Sequence, residues 1–194
     1  MSENPVRDLL DQIPRTEKID QVARPLRQAA EKIAETPGLS EALAAQPTGH
    51  PLHPALVHLP IGGALTAASL EILGLGRLRL ATALATGVVV AGAAPAALTG
   101  LADWAARRDT DEDRRVGAAH AVCAGSGTTL ALLSLLARTG GSHGLARLLL
   151  FGSAAAYTAA GVLGGELSQG PQPEAVFLSD RTDAPGEDEE HHYA

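Results

Sequence analysis

Charge is distributed along this chain so that four long stretches carry almost none of it. From Pro54 to Gly76 there are 23 positions broken only by Glu71, Leu80 to Ala102 adds 23 uncharged residues, Val116 to Ala137 adds 22 with one histidine, and Leu148 to Gly165 adds 18. A helix rising about 1.5 Å per residue needs about 20 apolar residues to cross roughly 30 Å of hydrocarbon, and 18 falls at the lower end of the usable range. Buried helices of a soluble bundle would need a polar face at helical spacing, and LATALATGVVVAGAAPAALTGLA offers only threonine for it. Four transmembrane helices are therefore expected, joined by connections at 77–79, 103–115 and 138–147. Connections this short make consecutive helices antiparallel neighbours, so the fold class is all-α, a transmembrane up-down four-helix bundle.

Composition agrees, because 45% of residues are apolar but only 3% are aromatic, and the chain has 21 glycines. Small side chains at this density suit helices that approach closely in lipid. Gly92, Ala96 and Gly100 form one such seam; Gly152, Ala156, Ala160 and Gly164 form another. In the third stretch His120, Cys123, Gly127, Ala131 and Ser134 follow at steps of three and four, a stripe that should face other helices. Pro60 and Pro95 interrupt local hydrogen bonding that bundle contacts can tolerate.

The flanks differ from the middle. Residues 1–48 carry Val6, Leu9, Leu10 and Ile13, then Ile19, Val22, Leu26, Ala30 and Ile33, with breaks at Pro14 and Pro25, and read as amphipathic helices. Their mixed charge makes packing on the bundle or a partner as reasonable as lying on lipid. Residues 168–194 are rich in Pro, Gly, Asp and Glu and read as a disordered acidic tail, in which His191 and His192 are expected to be inert. The three regions are thus 1–48, 49–167 and 168–194. A sequence pI near 5.4 with no basic stripe excludes nucleic acid as a partner, and the single Cys123 excludes a disulfide framework or a multi-cysteine metal site. Short-loop arginines balance between the two sides, so orientation draws on the long first segment, which has no apolar core to carry it across; both termini are expected in the cytoplasm, with the bundle in the inner membrane.

By this topology His50, His53, His58 and His120 fall at one side, together with Asp103 ending the second stretch and Glu166 ending the fourth. His58 and His120 each enter the apolar layer by about 6 Å, where an unpaired polar group is costly. Three uses are open. His58 and His120 can ligate a haem b iron axially, with Gly62 and Gly63 or Gly125 and Gly127 leaving room for the macrocycle. His53, His58, Asp103, His120 and Glu166 can supply a nitrogen and oxygen site for a divalent metal. Alternatively, His58 with Asp103 and His120 with Glu166 are interhelical hydrogen bonds that set helix register. His50 and His53 flank prolines in GHPLHP and suit the interface, as does Trp104. Glu71, at the far end, is expected to pair with Arg77, Arg138 or Arg147; a transport path would want further acids at mid-depth, and none is present. No nucleophile elbow, Walker loop or dinucleotide fingerprint accompanies the apolar stretches.

GHPLHPALVHLPIG (Gly49–Gly62), ALTGLADW (Ala97–Trp104), His120–Ala121 and GGEL (Gly164–Leu167) together resemble the bacterial multi-pass membrane proteins grouped as domain of unknown function 2231. The resemblance covers residues 49–167 and implies four spans and no established activity. Fusions of some relatives with Rieske-type domains imply a redox setting, although this chain lacks the cysteines of such a domain. The positions it carries over are His50, His53, His58, Asp103, His120 and Glu166. The resulting expectation is an accessory or redox-associated membrane subunit, embedded in the lipid bilayer beside a membrane redox partner and not a stand-alone enzyme; the alternatives are a purely structural membrane protein and, more distantly, a small transporter.

Overall fold

The computed structural model describes residues 5–36, 38, 52–74, 76–105 and 110–169. Its elements are α1 (Pro5–Gln12), a 3-10 turn (Glu17–Ile19), α2 (Asp20–Ala34), the single turn α3 (His53–Leu56), α4 (His58–Leu73), α5 (Arg79–Ala105), α6 (Asp111–Thr139) and α7 (His143–Gln169), with no strand among the described residues. Four helical segments are long and apolar enough to cross a membrane: His53–Leu73, Arg79–Ala105, Asp111–Thr139 and His143–Ser168. Each packs on the next, and α4 also meets α7, which closes the expected up-down four-helix bundle. His50, the connection at 106–109 and the acidic tail from 170 onward lie outside the described residues.

The helices run past the apolar stretches that announce them. Residues 103–115 were expected as a connection, yet Asp111 to Arg115 are already helical because the Thr110 hydroxyl accepts the Asp113 backbone N–H at 3.1 Å and three acids occupy the first turn of α6. Helix α6 ends at a left-handed glycine, Gly141 (φ 76°), where the Ser142 N–H reaches the Ala137 carbonyl at 2.8 Å and the Gly141 N–H reaches Arg138 at 3.1 Å. This closing pattern satisfies the last carbonyls and lets α7 start at His143, five residues before its uncharged run.

Burial is inverted relative to a water-soluble bundle. The interior is largely Ala64, Ala67, Ala68, Ala96, Ala131, Ala154 and Ala160, while Leu73, Leu80 and Leu148 are 79%, 75% and 69% exposed. Large aliphatic side chains turned outward are favourable only against hydrocarbon, so the surface itself specifies the solvent. The stripe on α6 faces inward as expected: Gly127, Ala131 and Ser134 are buried, and Ser134 Oγ donates to the Ala146 carbonyl at 2.7 Å. The seam on α7 is shifted by a residue from Gly152 and Ala156 toward Ser153, Ala154 and Tyr157, because Ser153 Oγ donates to the Gly127 carbonyl at 2.8 Å and the Tyr157 ring lies against Gly127.

The amphipathic N-terminal segment packs on the bundle. Helix α2 lies against α5 and α6, burying Ala23 and Ala30 beside Trp104 and Ala118. Pro25 does not break it; it sits early in α2, where the one carbonyl it leaves without an N–H belongs to the exposed Gln21.

Candidate functional site

At the end of the bundle formed by the start of α4, the end of α5, the start of α6 and the end of α7, two imidazoles meet. His53 and His120 have ring centroids 6.2 Å apart and planes at 82°, an edge-to-face contact. Each is held by a backbone carbonyl of a neighbouring helix: His53 Nδ1 lies 2.9 Å from the Ala96 oxygen, and His120 Nδ1 lies 2.8 Å from the Ala160 oxygen. A carbonyl only accepts, so both Nδ1 atoms carry the proton and both Nε2 atoms of the neutral rings keep a lone pair.

The local sequence explains the placement. Ala96 is followed four residues later by Gly100 and Ala160 by Gly164, so on each helix the carbonyl has no side chain above it. A Cβ at Gly100 would sit 2.6 Å from His53 Cε1, and one at Gly164 would sit 3.2 Å from His120 Cε1. The device occurs twice, once in the hairpin of α3, α4 and α5 and once in the hairpin of α6 and α7. The two histidines that close the hairpins are the two that touch.

The other residues singled out from the sequence are placed differently. His58 is exposed on α4, and its Nδ1 meets the Ala55 carbonyl in the preceding turn at 3.3 Å instead of reaching Asp103. Glu166 is exposed on α7 while His120 takes the Ala160 carbonyl in place of the expected carboxylate, since small residues leave that oxygen nearer. Asp103 is half-buried beside Trp104. Among the described residues no group of three or more His, Cys, Asp or Glu side chains is arranged to hold a metal ion. Of the glycines expected to leave room for a macrocycle, Gly63 is filled by Val89 and the Ala85 carbonyl and Gly127 by Tyr157, whereas Gly62 and Gly125 face open space with no neighbour within 4 Å. His53, read from the sequence as an interfacial residue and metal ligand, is thus the partner of His120.

Two arginines fasten the N-terminal segment to this end. Arg27, 7% exposed, donates to the terminal carbonyls of α5 at Trp104 and, at 3.1 Å, at Ala105, and its guanidinium lies 5.8 Å from the Trp104 ring. It caps a helix C-terminus, where positive charge is favoured. Arg115 reaches the other way from α6, donating to Asp20 Oδ1 at 2.8 Å, to Asp20 Oδ2 at 2.9 Å and to the Pro14 carbonyl at 2.8 Å. The hydrogen-bonded Arg115 guanidinium holds the Asp20 carboxyl below its usual range. Arg27 escaped the sequence reading because its partner is backbone, which leaves no residue-type signal.

A bundle with lipid-facing leucines and a small-residue interior defines a multi-pass membrane protein. This chain belongs to the family described as Predicted membrane protein (DUF2231), whose model matches residues 49–170 and so agrees with the resemblance drawn from GHPLHP and the later motifs. No curated protein and no solved structure matches the chain.

Proposed function

We propose that this protein is a non-enzymatic accessory protein of the inner membrane in which two imidazoles each hold one helical hairpin in register and meet where the hairpins pack, with both termini in the cytoplasm. The observation that carries this reading is the commitment of His53 and His120 to backbone carbonyls across helix interfaces. Interhelical hydrogen bonds of this kind contribute about 0.6–2 kcal/mol each in lipid, and they act on packing without requiring a bound species. Orientation is supported by the docking of α2, which brings Arg24 and Arg27 to the end that already holds Arg114 and Arg115. Reporter fusions at the two termini and beside Asp109 test it: periplasmic activity at the termini would overturn the assignment. For the register role, His53→Ala and His120→Ala should each lower the melting temperature in detergent with no change in visible spectrum or metal content.

A second reading, axial haem ligation by a histidine pair, is favoured by one feature: with Nδ1–H given to a carbonyl, the Nε2 lone pair is the one a metal would take. It predicts a Soret band in the purified protein that disappears in either histidine variant. A colourless, metal-free protein would leave the register role alone.

A further inference from the structure

The opposite end of the bundle brings together Arg138 near the end of α6 and Arg147 early in α7, both on Glu71, and Arg79 at the start of α5, which bonds Gly76 and His143; Glu71 is the one acid paired there among the described residues. Arg138 Nη2 and Arg147 Nε each donate to Glu71 at 2.9 Å, and Glu71 is 5% exposed. One carboxylate against three guanidinium groups leaves positive charge in excess. Arg79 Nη1 lies 3.1 Å from His143 Nε2; a guanidinium has no acceptor, so Arg79 donates and the ring proton of His143 stays on Nδ1. That Nδ1–H is buried without a hydrogen-bond partner, and so is the Nε–H of Arg138, whose side chain is 8% exposed.

Arg79, Arg138, Thr139 and His143, with Leu80 and Ala83, border one cavity of about 250 Å³. Two buried N–H donors lacking acceptors beside surplus positive charge are the chemistry that receives an anion with several oxygens. Leu80 is 75% exposed and Leu84 64%, so the cavity adjoins the lipid-facing surface at the level where the helices end. The positive end of the α7 dipole adds to the same field. We propose that this cavity binds a phosphate group, delivered by an anionic phospholipid whose acyl chains run along Leu80 and Leu84.

The test uses the full chain in phosphatidylcholine nanodiscs with or without phosphatidylglycerol, followed by native mass spectrometry of retained lipid and by thermal unfolding. Wild type should retain phosphatidylglycerol over phosphatidylcholine by about tenfold or more, the effect of a single hydrogen bond to a charged group, and should melt higher when it is present. Arg79→Gln and His143→Ala should lose that preference while keeping the wild-type melting temperature in phosphatidylcholine alone; Arg24→Gln, on exposed α2 surface at the other end, should keep it. Arg138→Gln would also strip Glu71 of a partner, so the Arg79 and His143 variants carry the decision. Stabilisation by inorganic phosphate in phosphatidylcholine discs, abolished by Arg79→Gln and unaccompanied by lipid retention, would support the phosphate site and overturn the lipid as its source. Equal retention of both lipids with no response to phosphate would overturn the proposal, as would a preference unchanged in both variants.

Discussion

A glycine four residues beyond a hydrogen-bonded carbonyl is what lets an imidazole lie flat on a helix in this protein. The two instances are not equally tight: a Cβ at Gly100 would come to 2.6 Å from the His53 ring and one at Gly164 to 3.2 Å from the His120 ring. Gly100→Ala should therefore cost about 1–3 kcal/mol of stability, the usual range for overpacking, and Gly164→Ala clearly less. Unfolding titrations in mixed detergent check the ranking, and equal effects would show that the rings yield freely. Replacing either histidine by alanine removes a donor but strands no carbonyl, since Ala96 and Ala160 lie within helices whose own N–H groups reach them; a loss of about 0.6–2 kcal/mol is expected. Glu71→Gln is harsher. It leaves Arg138, 8% exposed, without its carboxylate, whereas Arg147 at 48% can turn to water, so the expected loss is about 3–5 kcal/mol and should fall if Arg138 is also neutralised. At this scale the sequence supplied the residue types but not the pairings. His53 and His58 are both near the start of the first apolar run, and which one turns inward depends on the one-turn helix α3 and on the small-residue groove of α5, neither of which a spacing argument resolves. Glu71 was legible because a lone acid in an apolar run has few partners within reach.

The N-terminal helices show how an element with ambiguous amphipathicity acquires a definite place. Alanines at positions 23 and 30 allow close approach to α5 and α6, and the crossed contacts of Arg27 and Arg115 then fix position along the bundle. The apolar periodicity predicted that α2 would exist but only part of the face it buries: Ala30 is buried and Ile19 and Leu26 pack beside it, whereas Val22 is 45% exposed and the buried stripe runs through Ala23 and Arg27. It could not say against what, because Asp20 and Arg115 are 95 residues apart and each looks like ordinary surface charge. This docking should depend on pH in one direction. Asp20 has a folded-state pKa below its unfolded value, so its contribution is present above the ordinary aspartate value of about 3.9 and is lost as pH falls through the lowered value. Limited proteolysis or amide exchange across residues 17–34 should accordingly stay constant from neutral pH to about 5 and rise in stronger acid. Asp20→Asn should show the raised exchange at neutral pH while the spanning helices remain protected; protection of 17–34 unchanged in Asp20→Asn would mean the apolar contacts suffice.

For the molecule as a whole, the four long runs with at most one charge each were enough to give the fold class, because length with so little charge has few other solutions. The helix ends were less legible, since Asp111 and His143 start helices on capping and turn geometry within segments that look like loops by charge alone. The outward leucines make another expectation quantitative: without detergent or lipid the chain should sediment with membranes or aggregate, and recovery of a monodisperse species from a detergent-free supernatant would contradict the burial pattern. The repeated histidine and alanine-glycine arrangement carries a consequence of its own. Each half of the polypeptide contains a complete key and its own lock, so a gene cut between the codons for Ala105 and Thr110 should yield two fragments that insert independently and then find each other in the bilayer through the faces where His53 and His120 meet.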